Sequence, residues 1–399
     1  MRRAGAPVLW KSLPGRLYRH RSQGNCRGDF SAGFNKPLQG LSIDGERGTG
    51  VNELAVRLRQ VFPASLKCAT RNYMAAAALL GLAYGIYQIH PYYQSWLSHV
   101  HFWHFFTVSD QEVFKGLLVI YLAVLPLFYL TLPDSHPPKS ILFWRAVVHA
   151  PRRRMTESER VAVLAVMVKF IFVPLMWVWL LQHGASIIAS FKDVLHHDQF
   201  FPNGYWLLLH LIMFVDVLFF TIGYCVEHPA LGNEIRSVEP TVLGWMVTLL
   251  CYPPFNQFTD TMLGWYSKEY PEVDSLWLQS LLAAGILTSM TIYAWASVAL
   301  NLKASNLTHR GIVAHGPYAF VRHPAYVAKN IAWWIGALPV LGAALQDSLQ
   351  ELVRALASLS AWSFLYYLRA VTEERHLSRD PAYLDYCRRV PDRFIPRWR

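Results

Sequence analysis

Charge is what this sequence has least of. Of its 399 residues only 16% are Asp, Glu, Lys or Arg and 53% are apolar, against about 25% charged and roughly 45–50% apolar in ordinary soluble domains. A disordered or fibrous chain is thereby disfavoured, and so is a single soluble core. Cysteine is sparse as well. Cys26, Cys68, Cys225, Cys251 and Cys387 stand far apart without a C-x-x-C pair, so neither a disulfide framework nor a thiolate metal site is indicated. A glycine loop in the right setting is also missing. The only glycine cluster, Gly45-Glu46-Arg47-Gly48-Thr49-Gly50, lies in a polar tail with no strand before it, which removes the dinucleotide-binding reading.

What is present is apolar length. Runs able to cross the roughly 30 Å hydrocarbon core of a bilayer are expected at 73–89, 113–132, 161–182, 204–226, 242–256, 276–301, 330–346 and 352–371. The reading is an all-α, polytopic helical membrane protein of about eight spans. The fifth is interrupted by Pro253 and Pro254 and reads as broken or re-entrant, backbone that is tolerated at membrane depth only when buried in protein or facing water.

The net charge of +11 is unevenly placed: residues 1–71 hold 13 Lys/Arg and 4 Asp/Glu, a net of +9, leaving +2 for the rest. Cationic segments ordinarily accompany membrane insertion, so nucleic acid is not an expected partner; membrane lipids are. No acidic residue precedes Asp29. Residues 1–72 read as a basic, largely disordered tail, or alternatively a mitochondrial-type presequence. Within it, residues 51–62 form an amphipathic stripe suited either to the membrane interface or to packing on the body. Two further regions follow, a bundle at 73–274 and a catalytic region at 275–399. Lys and Arg gather in 133–160 and 302–329, while the loop 257–275 carries Asp260, Glu269, Glu272 and Asp274 against Lys268. That asymmetry places both termini in the cytoplasm.

Charges inside spans are expensive and therefore paired or functional. Lys169 and Asp216 are expected at similar depths, roughly 12 and 15 Å from one face, as a structural ion pair or as part of a substrate or proton pathway. His90, His99, His101, His104, His196, His197 and Asp198 could hold a metal between their loops, but the histidines are interleaved with aromatic residues and read as interfacial rings without metal. Ile187, Ile188, Phe191, Val194 and Leu195 read as another interfacial stripe.

Reactive side chains concentrate in two pieces at the inner side of the last quarter. In the first, HGPYAFVRHPAYVAKN at 315–330, Pro324 suits the first turn of a helix. The free N–H groups there, beside Arg322 and His323, suit a carboxylate. In the second, YYLRAVTEERHL, Arg369 stands four residues before Glu373 on one helical face, followed by Glu374. The hairpin 330–371 brings the two pieces together. The chain ends in DPAYLDYCRRVPDRFIPRWR, an interfacial tail or a lid.

The run G-P-Y-x-x-x-R-H-P-x-Y at Gly316–Tyr326, the hairpin, then E-E-R-x-L and Y-x-x-Y-x-x-x-V-P-x-R-x-I-P resemble the isoprenylcysteine carboxyl methyltransferase family of integral-membrane enzymes over roughly residues 275–399. The resemblance implies S-adenosylmethionine bound on the cytoplasmic side, with Tyr318, Arg322, His323, Pro324, Tyr326 and Glu374 at the cofactor and Arg369 and Glu373 facing the acceptor. Ala328 stands where the family pattern usually has Gly. The expected activity is methyl transfer to a carboxylate, thiol or amine of a lipophilic small molecule or lipid-linked acceptor. A sterol-reductase-like enzyme using NADPH is the rival, although Ala325 and the paired glutamates depart from it. A transporter or lipid-binding membrane protein is the non-enzymatic alternative.

Overall fold

The structure, a computed structural model, describes residues 64–97, 101–102, 108–152, 154–196 and 201–397. The expected amphipathic helix at 51–62, most of the basic tail, and His99, His104, His197 and Asp198 lie outside the described residues.

The protein is an all-α membrane protein. Its main helices are α1 (Leu66–Ile89), α2 (Pro91–Leu97), α3 (Asp110–Thr131), α4 (Lys139–His149), α5 (Glu157–His196), α6 (Asn203–Cys225), α7 (Val242–Leu249), α8 (Phe255–Leu263), α9 (Leu276–Leu300), α10 (Pro324–Asp347), α11 (Leu349–Leu377) and α12 (Pro381–Arg389). Among the described residues, five helices are long and apolar enough to cross a membrane by themselves: α3, α5, α6, α9 and α10. The α1 and α11 helices have 24 and 29 residues, ample length but a more polar composition.

Helix boundaries follow local chemistry. Ser348 opens α11 by accepting from Glu351 N at 3.2 Å, the S-x-x-E arrangement that satisfies end donors. Pro253 and Pro254 cannot donate to a helical ladder, so the fifth span is divided between α7 and α8. The eight residues of α7 cover only about 12 Å. Together α7 and α8 do run along α11: Thr241 meets Arg375 near one end of α11, and Gly264 O accepts from Ser358 and Trp362 further along it. The stretch expected as a separate interfacial stripe at 187–195 belongs to α5, which continues unbroken to His196 because no Pro or Gly follows Gly184 to stop it.

Two of the hydrophobic cores join the central helices. Phe172 of α5 and Tyr224 of α6 stack at 5.6 Å within a cluster that includes Val168, Val217 and Val238. Tyr205 and Leu209 of α6 pack with Ile286 and Met290 of α9 and Ala332 of α10. A two-residue ribbon, β3 (Ser237–Val238) with β4 (Thr308–His309), ties the connection after α6 to the one after α9. The other ribbon, β1 (His101–Phe102) with β2 (Val108–Ser109), lies between α2 and α3.

Lys169 and Asp216 do not pair. Lys169 Nζ lies 3.0 Å from Glu227 Oε2, and Lys139 lies 3.6 Å from the other oxygen. Asp216 accepts instead from Ser297 of α9. The reason is that α6 turns Asp216 toward α9, and the chain leaving α6 delivers Glu227 to Lys169. Burial would raise the Glu227 carboxyl, but Lys169, Lys139 and Arg310 hold it at about 2.

The loop between α8 and α9 presses on α10 at Gly336, where Lys268 N donates to Gly336 O at 3.0 Å. A Cβ at Gly336 would stand 2.2 Å from Lys268 O, whereas one at Gly342 on the same helix meets nothing within 4 Å. Gly336→Ala should therefore lower stability by about 1–3 kcal/mol in thermal unfolding of the detergent-purified protein, and Gly342→Ala should leave it unchanged or slightly raised.

Candidate functional site

One end of the bundle gathers the connection after α6, the connection after α9, the start of α10, the end of α11 and the C-terminal segment. Between them is a cleft whose walls include Tyr318, Arg322, His323, Tyr326, Arg369 and Glu373. Six of the eight residues singled out in the sequence thus share one cavity. Pro324 opens α10 and is buried, and Glu374 is held in a charged knot beside the cleft.

That knot is the best-connected group at this end. The Glu374 carboxylate accepts from Arg322 Nε at 2.8 Å, lies 3.1 Å from His323 Nε2, and accepts from Arg393 Nη2 at 2.5 Å. Burial would raise its pKa, but His323, Arg393 and Arg322 hold it well below the usual carboxylate range. Main-chain bonds run alongside: Arg322 N donates to Asp392 O at 3.0 Å and His323 N to Arg393 O at 3.1 Å. Arg322 Nη1 also donates to the carbonyls of Val390 and Pro391, at 3.1 and 2.7 Å. The C-terminal segment is therefore strapped across the start of α10, and Phe394 packs on His323 and Tyr367.

Arg369 and Glu373 share a helical face but do not bond to each other. The Glu373 carboxylate accepts from Tyr326 OH at 2.7 Å and lies 3.8 Å from His323 Nδ1, with its side chain 46% exposed. Arg369 is 5% exposed; its Nη2 donates to Asn306 at 3.1 Å, and its guanidinium lies 5.0–5.5 Å from the ring centres of Tyr252, Tyr326 and Tyr366. Three π faces and an amide carbonyl hold the cation away from the carboxylate, an arrangement that strengthens when desolvated. Its Nε is buried without a partner.

Several walls escaped the sequence reading. Glu239, Tyr252, Asn306 and Tyr366 line the cleft, yet three of them come from segments far from the R-H-P-x-Y run and have no spacing relation to it. Lys329 lies 5.5 Å from the ring centres of Tyr293 and Trp333. It is shared between this cleft and a second cavity bearing His183, His210 and Asp216. The i, i+3 step from Tyr326 to Lys329 was a legible signal for that residue.

The cleft offers acceptors in Glu373 and Glu239, aromatic faces, and free N–H groups at the start of α10. Such a mixed set suits a ligand carrying both positive and negative groups. Compared with known families, residues 277–379 match the profile of the isoprenylcysteine carboxyl methyltransferase family. This C-terminal part is thus similar to a family of membrane methyltransferases, and the match spans α9, α10 and α11, the three helices that carry most of the cleft. A search of curated proteins finds no match.

Because Glu374 joins α10, α11 and the C-terminal segment, Glu374→Gln should release the strap. The loss of charge-assisted bonds is expected to cost on the order of 2 kcal/mol or more, read as a lower unfolding temperature and faster tryptic removal of the residues after Arg389. With its folded pKa lowered from 4.5, Glu374 stabilises fully above that pH, and this contribution fades as pH falls toward the lower folded value. Wild type and Glu374→Gln should therefore converge in stability on acidification; a gap that stays constant to low pH would contradict the charged knot.

Proposed function

We propose that the cleft transfers a methyl group from S-adenosylmethionine to a carboxylate, thiol or amine of a lipophilic acceptor. What carries this reading is the coincidence of the family match with a single cavity that holds Tyr318, Arg322, His323, Tyr326, Arg369 and Glu373. The donor set fits the cofactor. Glu373 and the Tyr318 and Tyr326 rings suit a sulfonium cation, while the N–H groups at the start of α10 beside Arg322 suit a carboxylate. When bound, S-adenosylmethionine supplies the electrophilic methyl.

The chain's own groups do the rest. Methyl transfer is an in-line displacement, and holding the acceptor in line with the methyl accounts for several kcal/mol of barrier in well-oriented systems. Arg369, fixed by Asn306 and three tyrosines, provides a stationary cation for an anionic acceptor atom. Glu373 can take a proton from a thiol or amine acceptor. An apolar groove between α10 and α11, lined by Ile331, Trp334, Leu338 and Tyr367, meets the cleft at Tyr326 and Tyr366. That groove supports a lipophilic acceptor arriving from the bilayer, with lipids around it. The Lys/Arg excess in 133–160, 302–329 and 372–399 supports placing the cleft and both termini on the cytoplasmic side.

The test is ligand-dependent thermal stabilisation in detergent. S-adenosylhomocysteine at 100 times its Kd should stabilise by about 2.7 kcal/mol and NADPH should not; stabilisation by NADPH alone would sink the reading. His323→Ala should abolish most of the S-adenosylhomocysteine effect while the protein stays folded.

A further inference from the structure

Glu239 belongs to the connection between α6 and α7, outside the matched region 277–379. It is 3% exposed and lines the same cleft as the residues at the start of α10. The short ribbon puts it there: Glu239 N donates to Leu307 O at 2.8 Å, directly after the Val238–Thr308 pair. Its two carboxylate oxygens are not equivalent. Oε1 accepts from Thr241 N at 3.0 Å, from the Thr241 hydroxyl, and from Arg375 Nη2 at 3.3 Å. Those contacts account for its local role, since Thr241 in turn caps α7 through Gly244 N at 3.2 Å. Oε2 is buried and has no partner.

A buried carboxylate oxygen without a donor is costly, and the local fold does not need this one. The side chain as a whole is closely accommodated by α7. A Cβ on Gly244 would stand 2.4 Å from Glu239 Cγ and 2.6 Å from Cδ, so α7 carries a glycine where the carboxylate passes.

Resting on the cofactor reading above, we propose that Glu239 is a cofactor-binding residue, its Oε2 accepting from a donor of S-adenosylmethionine, either the α-ammonium or a ribose hydroxyl. The cofactor site would then be completed by a segment outside the methyltransferase-like region, through one acceptor in the cleft that Tyr318 and His323 also line. Both candidate donors are on the non-reacting parts of the molecule, so the interaction is one of binding and not of the methyl-transfer step.

Glu239→Gln retains an acceptor at Oε1 and replaces only the charge and the unpartnered oxygen. Calorimetric titration of detergent-purified full-length protein with S-adenosylhomocysteine and with 5′-methylthioadenosine, which lacks the amino-acid moiety, tests the proposal. Loss of affinity of about tenfold or more for both ligands assigns the ribose, and loss for S-adenosylhomocysteine alone assigns the ammonium. Affinities within twofold of wild type for both would overturn the assignment. Unchanged thermal unfolding of the ligand-free variant separates a binding role from a structural one. Gly244→Ala, which displaces the carboxylate without entering the cleft, should weaken the same ligand and provides a second route should Glu239→Gln fail to fold. If wild type itself binds neither ligand, the cofactor reading falls and this assignment with it; if wild type binds and both variants bind equally well, only the role of Glu239 is lost.

Discussion

The Glu374 carboxylate is the contact on which this end of the molecule depends. It receives Arg322 and His323 from the start of α10 and Arg393 from the C-terminal segment, while its own backbone belongs to α11. Three pieces of chain, the second 51 residues after the first and the third 19 residues after the second, meet at two oxygen atoms. Taking a carboxylate out of water is unfavourable unless its lone pairs are filled, and here they are filled by groups that also position the cleft. His323 is stacked on Tyr326 at 5.2 Å, Tyr326 donates to Glu373, and the Tyr326 ring supports Arg369. A chain of contacts therefore runs from the buried knot to the open face of the cleft.

A division of labour between adjacent carboxylates follows. Glu374 is saturated with donors and structural. Glu373, one residue earlier, is half exposed and has one strong hydrogen bond, which leaves it free to meet a ligand. Arg369 is kept from neutralising it by the tyrosines around the guanidinium. Cation and carboxylate remain separately available within one cavity, a condition that a direct ion pair would have removed.

The last third of the chain is legible in the sequence because its logic is local. Pro324 after Arg322-His323 marks a helix start, the hairpin length dictates that α10 and α11 lie side by side, and Glu373-Glu374 at the end of α11 must then face the beginning of α10. The lines of apolar residues similarly mark the helices, down to the interruption at Pro253-Pro254. Pairings between distant segments were not legible. Lys169 and Asp216 are expected at matching depths on neighbouring helices, but α5 and α6 align with Phe172 against Tyr224, which sets Lys169 beside Glu227 and leaves Asp216 about two turns away along α6. The Arg369–Glu373 spacing was compatible with an ion pair, yet four separate chain segments supply the groups that draw Arg369 away.

The sequence by itself determined a helical membrane protein with a C-terminal hairpin whose motifs resemble a methyltransferase family, since hydrophobic length, proline placement and short motifs are properties of contiguous residues. Only the tertiary structure decided which charged groups meet: that Glu374 binds Arg322, His323 and Arg393 together, that Asp216 turns to Ser297, and that Glu239 is carried by a two-residue ribbon into the cleft. Each of these depends on helix rotation and on connections that cross the bundle, where a single buried carboxylate has several candidate partners and geometry alone selects among them.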